Sequence, residues 1–247
     1  MHKYKEGVKK QLSQMNVGLG EWALSQTVLD TIVIQSKELI SPHWRMRLYL
    51  HTKRGIDILL SLFLLIITSP IILLAAIIIK CTSRGPVLFR QPRAGINGIP
   101  FTIYKFRSMY NGAEKDRFEL SGYNDIDEGP CFKVRQDPRL TLIGRFLRRS
   151  SIDELPQLYN VLKGEMSLVG PRPLPLLEVE TSSYAERARL CVRPGISCLW
   201  QISGRTEIPY HEWMLLDLYY IKHRSLMLDL EILIKTIPAV LSCRGAY

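Results

Sequence analysis

Residues 150–173 read SSIDELPQLYNVLKGEMSLVGPRP, the most densely patterned stretch of the chain. Two adjacent carboxylates, Asp153 and Glu154, stand near its start. Leu155, Leu158, Tyr159 and Leu162 follow at i, i+3, i+4 and i+7, the spacing of one helix face. Gly164 is placed to end that helix. Pro171-Arg172-Pro173 then locks the backbone on both sides of one arginine. The pattern predicts a helix with the acidic pair at or just inside its N-terminus, where unpaired N–H groups and the dipole favour an ionised carboxylate. The same spacing has a purely structural reading. Ser151-x-x-Glu154 is a capping box, in which Glu154 only reaches back to a backbone N–H. Pro156 belongs most easily in a first turn, so Asp153 is an alternative helix start.

Upstream, Ile58 to Ile79 is an uncharged apolar run of about 22 residues, long enough as a helix to cross a hydrocarbon core of roughly 30 Å. Ser69-Pro70 lies at its middle, where proline removes one intrahelical hydrogen bond and a serine hydroxyl can serve the freed carbonyl. Arg45, Arg47, Lys53 and Arg54 precede the run, and Lys80, Arg84, Arg90 and Arg93 follow it. Positive residues favour the cytoplasmic side, so two basic flanks fit a segment whose ends both stay inside. Hydropathy alone nevertheless favours a kinked span, since proline is tolerated in spanning helices.

Outside this pair of features the chain reads in short pieces. Val28 to Ile34 is a short strand or helix, stopped by Ser41-Pro42. Val87-Leu88-Phe89 and Phe101 to Tyr104 are β-rich around a Gly95-Ile96-Asn97-Gly98 turn, which predicts a β-hairpin over Val87 to Lys105. Asn111 to Gln136 is a polar loop with a short helix at Ala113 to Leu120. Asp137-Pro138 looks like a helix start, with Leu140, Ile143 and Leu147 on its apolar face and Arg139, Arg145, Arg148 and Arg149 around the rest. Those arginines suit a solvated face, or anionic headgroups worth about 1 kcal/mol per basic residue. Leu174 to Leu190 is expected to be helical with Glu178 and Arg189 outward. A further helix carries Trp213, Leu216 and Asp217, and Ser225 to Leu241 is amphipathic and broken by Pro238.

Composition narrows the function classes. The 247 residues carry a net charge of +10, which suits nucleic acid, anionic headgroups or phosphate-bearing substrates. Five scattered cysteines form no Cys-x-x-Cys pair, which argues against a disulfide framework or structural zinc and for a reduced setting. The histidines form no metal motif. The first 27 residues are polar and lysine-rich, so no secretory signal peptide is expected. No helix-turn-helix, zinc-finger or RNP pattern accompanies the basic charge, so nucleic acid is not an expected partner. A non-catalytic membrane-anchored scaffold is the other rival.

Asp-Glu-Leu-Pro-Gln-Leu from Asp153, Asn160-Val-Leu and Met166-Ser-Leu-Val-Gly-Pro-Arg-Pro resemble the signature of the bacterial sugar transferases, the monotopic polyprenyl-phosphate phosphoglycosyl transferases. Gly85-Pro86, Tyr104 to Met109, Gly129-Pro130 with Phe132-Lys133, Asp137-Pro138-Arg139, Arg193-Pro194-Gly195-Ile196 and Trp200-Gln201 with Ser203-Gly204-Arg205 also match, so the likeness runs from about Lys53 to Tyr247. Departures are Ser108 for threonine, Ser197-Cys198 for Thr-Gly, and Arg224 for tryptophan. The resemblance implies that Asp153 is the nucleophile and that Glu154 helps bind Mg²⁺, with both carboxylates offered to the metal. It places phosphates on Arg172, and on Lys105, Arg107, Arg145 and Arg193. Asp217 is a supporting residue. In this family Ser-Pro breaks a re-entrant helix, so Ser69 and Pro70 are expected to break this one, with Asp57 at headgroup level.

The expected architecture is a mainly helical α+β protein. An N-terminal extension (1–52) and a re-entrant membrane helix-break-helix (53–84) precede a cytosol-facing catalytic domain (85–247). That domain carries a small β-hairpin and interfacial amphipathic helices. The implied reaction moves a sugar-1-phosphate from a UDP-sugar to polyprenyl (undecaprenyl) phosphate and releases UMP through a phospho-aspartate. It is the first membrane step of a polysaccharide such as exopolysaccharide, capsule or O-antigen. The implied location is the cytoplasmic face of the bacterial inner membrane, among its lipids. Family members often pair, so a homodimer is among the expected assemblies.

Overall fold

The computed structural model describes residues 44–117, 134, 136–180, 187–243 and 245. The expectations for Val28 to Ile34, Ser41-Pro42, Gly129 to Lys133 and the end of the Ala113 to Leu120 helix lie outside the described residues. The apolar run falls within one helix, α1 (Trp44–Thr82), of 39 residues. It is long and apolar enough to cross a membrane. Ser69 and Pro70 stand inside α1, with helix on both sides of them. Proline costs one hydrogen bond to the carbonyl of Ile66, and the Ser69 hydroxyl donates to that same carbonyl at 2.7 Å.

Polar contacts fix the first half of α1 to the rest of the chain. Arg54 donates to the carbonyls of Val161 (2.6 Å) and Leu162 (2.8 Å), the last turn of helix α3 (Gln157–Lys163). Asp57 is buried and accepts from the Leu168 N–H at 3.0 Å, so it ties α1 to the strand over Ser167–Val169. Lys53 and Tyr49 both donate to Asp229, which Tyr220 also engages. In the second half, Ala75 and Ile79 pack with Phe106 and Leu147. The other side of α1 is apolar and bare: Leu59, Ile66 and Leu73 are 71%, 65% and 64% exposed.

The hairpin forms as its turn chemistry dictates. Strands β1 (Leu88–Ala94) and β2 (Pro100–Phe106) pair antiparallel, with Asn97 and Gly98 at φ 57° and 77° in the turn. Asn160 of α3 stitches the hairpin down, donating to the Thr102 carbonyl and accepting from the Tyr104 N–H. A second sheet, a short parallel pair, had no sequence signal: β3 (Ser167–Val169) beside β4 (Gly195–Ser197). Gly170 and Gly195 let these backbones touch, since a Cβ on Gly195 would lie 2.1 Å from the Gly170 nitrogen.

Several helix bounds differ from expectation. Helix α2 (Leu142–Arg149) is capped by Thr141, which accepts from the Gly144 N–H at 2.9 Å; Asp137 instead clamps Arg139. Within Leu174 to Leu190 the described residues give helix α4 (Leu176–Glu180) and the start of a 3-10 turn over Ala188–Cys191, and Glu178 and Arg189 are buried rather than outward. Helix α5 (Leu199–Ser203) leads to α6 (Tyr210–His223), which is buried almost all round and forms the core with Met166, Leu168 and Leu199. Helix α7 (Leu226–Leu241) contains Pro238 without breaking. Its outward stripe of Met227, Leu230, Ile234, Ile237 and Leu241 is exposed, as are Leu142 and Phe146 on α2. Exposed apolar faces of this extent mark an interaction surface.

Candidate active site

The chain leaves α2 through Ser151, whose left-handed φ of 58° redirects it into a 3-10 turn over Ile152–Glu154. The capping box therefore does not form, and Ser151 makes no side-chain cap. The acidic pair precedes α3 on this turn rather than sitting in the first turn of an α-helix. Leu158 and Val161 face the core, while Tyr159 is exposed; Gly164 ends α3 at φ 82° as its position implied.

Glu154 points across to the hairpin. One of its oxygens, Oε1, accepts from Lys105 Nζ at 2.9 Å and from Arg172 Nη2 at 2.7 Å. Burial alone would raise the Glu154 carboxyl, but the Arg172 and Lys105 charges outweigh it and hold it well below the usual carboxylate range. Asp153 has no such partner: no hydrogen bond engages its carboxylate among the described residues. Burial dominates there and pushes Asp153 up to about 6, against the pull of Lys105. The expected helix N-terminus does not lower it.

The Pro171-Arg172-Pro173 loop is pinned from both sides. The Gly195 N–H donates to the Pro171 carbonyl and Arg93 to the Pro173 carbonyl. Arg189 donates to the Arg172 carbonyl at 2.7 Å and pairs with buried Asp217 at 2.6 Å. Asp217 thus supports the loop through Arg189. The Arg172 guanidinium lies 5.8 Å from the Trp200 ring, which stacks on Trp213, and Arg189 lies 5.2 Å from Trp213.

These groups open onto a cavity of about 1390 Å³. Of the residues anticipated from sequence, Asp153, Glu154, Lys105, Arg107 and Arg172 all line it. Arg107 is buried and donates to the carbonyl and hydroxyl of Ser83, just beyond α1. Two anticipated arginines stand elsewhere. Arg145 is exposed on the far side of α2, and Arg193 is exposed with its Nε on the Gly164 carbonyl. Arg148 takes the place foreseen for Arg145, lining the cavity and donating to the Ser108 hydroxyl at 3.1 Å. Its signal was Gly144, four residues earlier on the same helix face. A Cβ there would lie 1.7 Å from the Ser108 carbonyl oxygen, so that face must meet the backbone beside the hairpin. Trp200 and Arg205 complete the wall. Such a site can hold a multiply charged phosphate beside one carboxylate left free to react.

Comparison with known proteins shows the family. The sequence model described as bacterial sugar transferase matches residues 48–243. An exopolysaccharide production protein, ExoY, of Sinorhizobium fredii is 40% identical over 199 residues, covering 79% of this chain and 88% of the relative. The undecaprenyl-phosphate galactose phosphotransferase of Salmonella typhimurium is 42% identical over 199 residues, again 79% of this chain but 41% of the relative. The undecaprenyl-phosphate glucose phosphotransferase of Komagataeibacter xylinus is 43% identical, and the chain spans 37% of it. The chain belongs to the bacterial sugar transferase family and is an enzyme of that class.

Proposed function

We propose that the protein transfers a sugar-1-phosphate from a UDP-sugar to undecaprenyl phosphate in two displacements. The observation that carries this is the asymmetry of the acidic pair. Glu154 is tied to two cations, while neighbouring Asp153 has no hydrogen-bond partner among the described residues and faces an arginine-lined cavity. An Asp153 oxygen attacks the sugar-bearing phosphorus, the bond to the nucleotide phosphate breaks, and UMP leaves. An oxygen of the lipid phosphate then attacks the same phosphorus, and the Asp153 carboxylate is restored.

Magnesium fits the donors present. It prefers carboxylate oxygens and takes one or two from protein alongside substrate phosphates. Glu154 has its Oε2 outside the ion pairs, and Asp153 has both oxygens outside any hydrogen bond among the described residues. Bound there, it would neutralise charge on the diphosphate. Among the chain's own groups, Lys105 and Arg172 orient Glu154, while Arg107 and Arg148 supply positive charge to the phosphates.

Two of the relatives are named as undecaprenyl-phosphate galactose and glucose phosphotransferases, and the third as an exopolysaccharide production protein. Incubation with a panel of UDP-sugars, Mg²⁺ and undecaprenyl phosphate should release UMP with at least one donor. Failure with every common UDP-sugar would support a scaffold instead.

We place the enzyme on the cytoplasmic face of the inner membrane, with α1 dipping into one leaflet and returning. Both halves of α1 pack on the same body of the protein, and basic residues flank both ends. The bare stripes of α2 and α7 would lie at the headgroup boundary. With Cys81 as the sole cysteine, an impermeant maleimide added outside sealed right-side-out vesicles should not label it. Labelling from outside would mean that α1 crosses.

A further inference from the structure

Most cations around the cavity have partners. Lys105 and Arg172 share Glu154, and Arg139 is clamped by Asp137. Arg205 differs. It is 5% exposed, yet its Nε and Nη2 meet no acceptor among the described residues. Nor does it make an ion pair there. A guanidinium cannot shed its proton to escape burial, so an unpaired one is costly to keep. The backbone is also unfavourable: Arg205 has φ 54°, in the left-handed region where residues bearing a Cβ are uncommon. A strained, buried and unpaired cation on a cavity wall adds little to stability. It is well suited to receive an anion.

We infer that Arg205 is a substrate-binding residue that grips the phosphate departing with the nucleotide. The inference rests on the transfer reading and extends it to the leaving group. The charges acting most on Arg205 are Glu154 and Arg172. Arg148 reaches the Ser108 hydroxyl at the hairpin wall of the cavity, while Arg205 lines it together with Trp200, Gln201 and Arg172. In an in-line displacement the departing oxygen leaves away from the attacking one. As the Asp153 oxygen bonds to phosphorus, the electron pair of the breaking P–O bond passes to the UMP oxygen, and Arg205 donates to that phosphate. In the second displacement the lipid phosphate attacks in line from the side UMP has vacated, so its reacting phosphate enters the same subsite beside Arg205.

The test uses the full chain with Arg205→Ala and Arg205→Lys. In a double displacement, kcat/KM for each substrate reports its own half-reaction. Arg205→Ala should lower kcat/KM for the UDP-sugar about 10- to 100-fold, the loss of one or two charge-assisted hydrogen bonds. The value for undecaprenyl phosphate should fall as well, since its phosphate attacks from the same subsite, and Arg205→Lys should recover part of both losses. UMP affinity, measured by calorimetry without turnover, should weaken about tenfold or more in Arg205→Ala. Thermal stability should hold or rise, because an unpaired buried charge is removed. Unchanged UMP affinity, or an unchanged kcat/KM for the UDP-sugar, would overturn the assignment. If wild-type protein binds UMP, loses it on Arg205→Ala and yet turns over no UDP-sugar, the transfer reading fails while the Arg205 site stands. Should Arg205→Ala not fold, UMP binding by Arg205→Lys decides.

Discussion

Asp153→Asn should abolish transfer, by about 10³-fold or more, while leaving a protein at least as stable as the wild type. Asparagine fills the same space but offers no anionic oxygen to phosphorus. The accompanying stability effect separates loss of a nucleophile from loss of fold. Burial raises the Asp153 carboxyl from 3.8 to about 6. A group whose folded value is raised favours the fold in its protonated form, so the fold bears a cost once Asp153 ionises, and that cost vanishes as pH falls toward 4. Asp153→Asn should therefore raise the melting temperature at pH 7.5 and approach the wild type at low pH. Wild-type kcat/KM for the nucleotide sugar should follow the same ionisation. It should be flat above pH 7 and fall about tenfold per unit well below 6. A mutant that melts much earlier than wild type, or an activity that stays flat to pH 5, would contradict the role given to this carboxylate.

The second large effect is on stability. Asp217→Ala should destabilise the protein by about 3–5 kcal/mol, because it strands the buried Arg189 guanidinium without its carboxylate. Asp217 and Arg189 are 1% and 4% exposed and 2.6 Å apart, so solvent screens the pair very little. Arg189 also holds the Arg172 carbonyl, so the loop that aims Arg172 at Glu154 loosens with it. Asp217→Asn keeps a hydrogen-bond acceptor and should cost less. Denaturant unfolding in detergent checks the order of wild type, Asp217→Asn and Asp217→Ala. Equal stability of all three would mean that the pair carries no structural weight.

Local rules reached the hairpin, the Gly164 stop and the helix carrying Asp217, because turn chemistry and apolar spacing decide those. They did not reach the partners of Glu154. Lys105 and Arg172 lie 49 and 18 residues away in sequence, and nothing within the capping-box spacing points to them. Proline misled at Pro238, where α7 continues. At Pro70 the Ser69 hydroxyl serves the carbonyl that proline leaves unpaired, as the Ser-Pro pair implied. The resemblance pointed to Asp153, Glu154, Lys105, Arg107 and Arg172, which all line one cavity, but it chose Arg145 over Arg148. Only the close approach of Gly144 to Ser108 decides which of those arginines faces inward. The parallel pair of β3 and β4 is three residues long in each strand, too short for a period-two signal.

The most direct measurement is rapid-quench detection of UMP from enzyme and UDP-sugar with Mg²⁺ and no lipid phosphate. A covalent aspartyl intermediate should give a burst of about one UMP per chain, with the sugar phosphate retained on the protein at Asp153. If no UMP appears until undecaprenyl phosphate is added, the sugar phosphate passes directly between substrates and Asp153 is not the nucleophile.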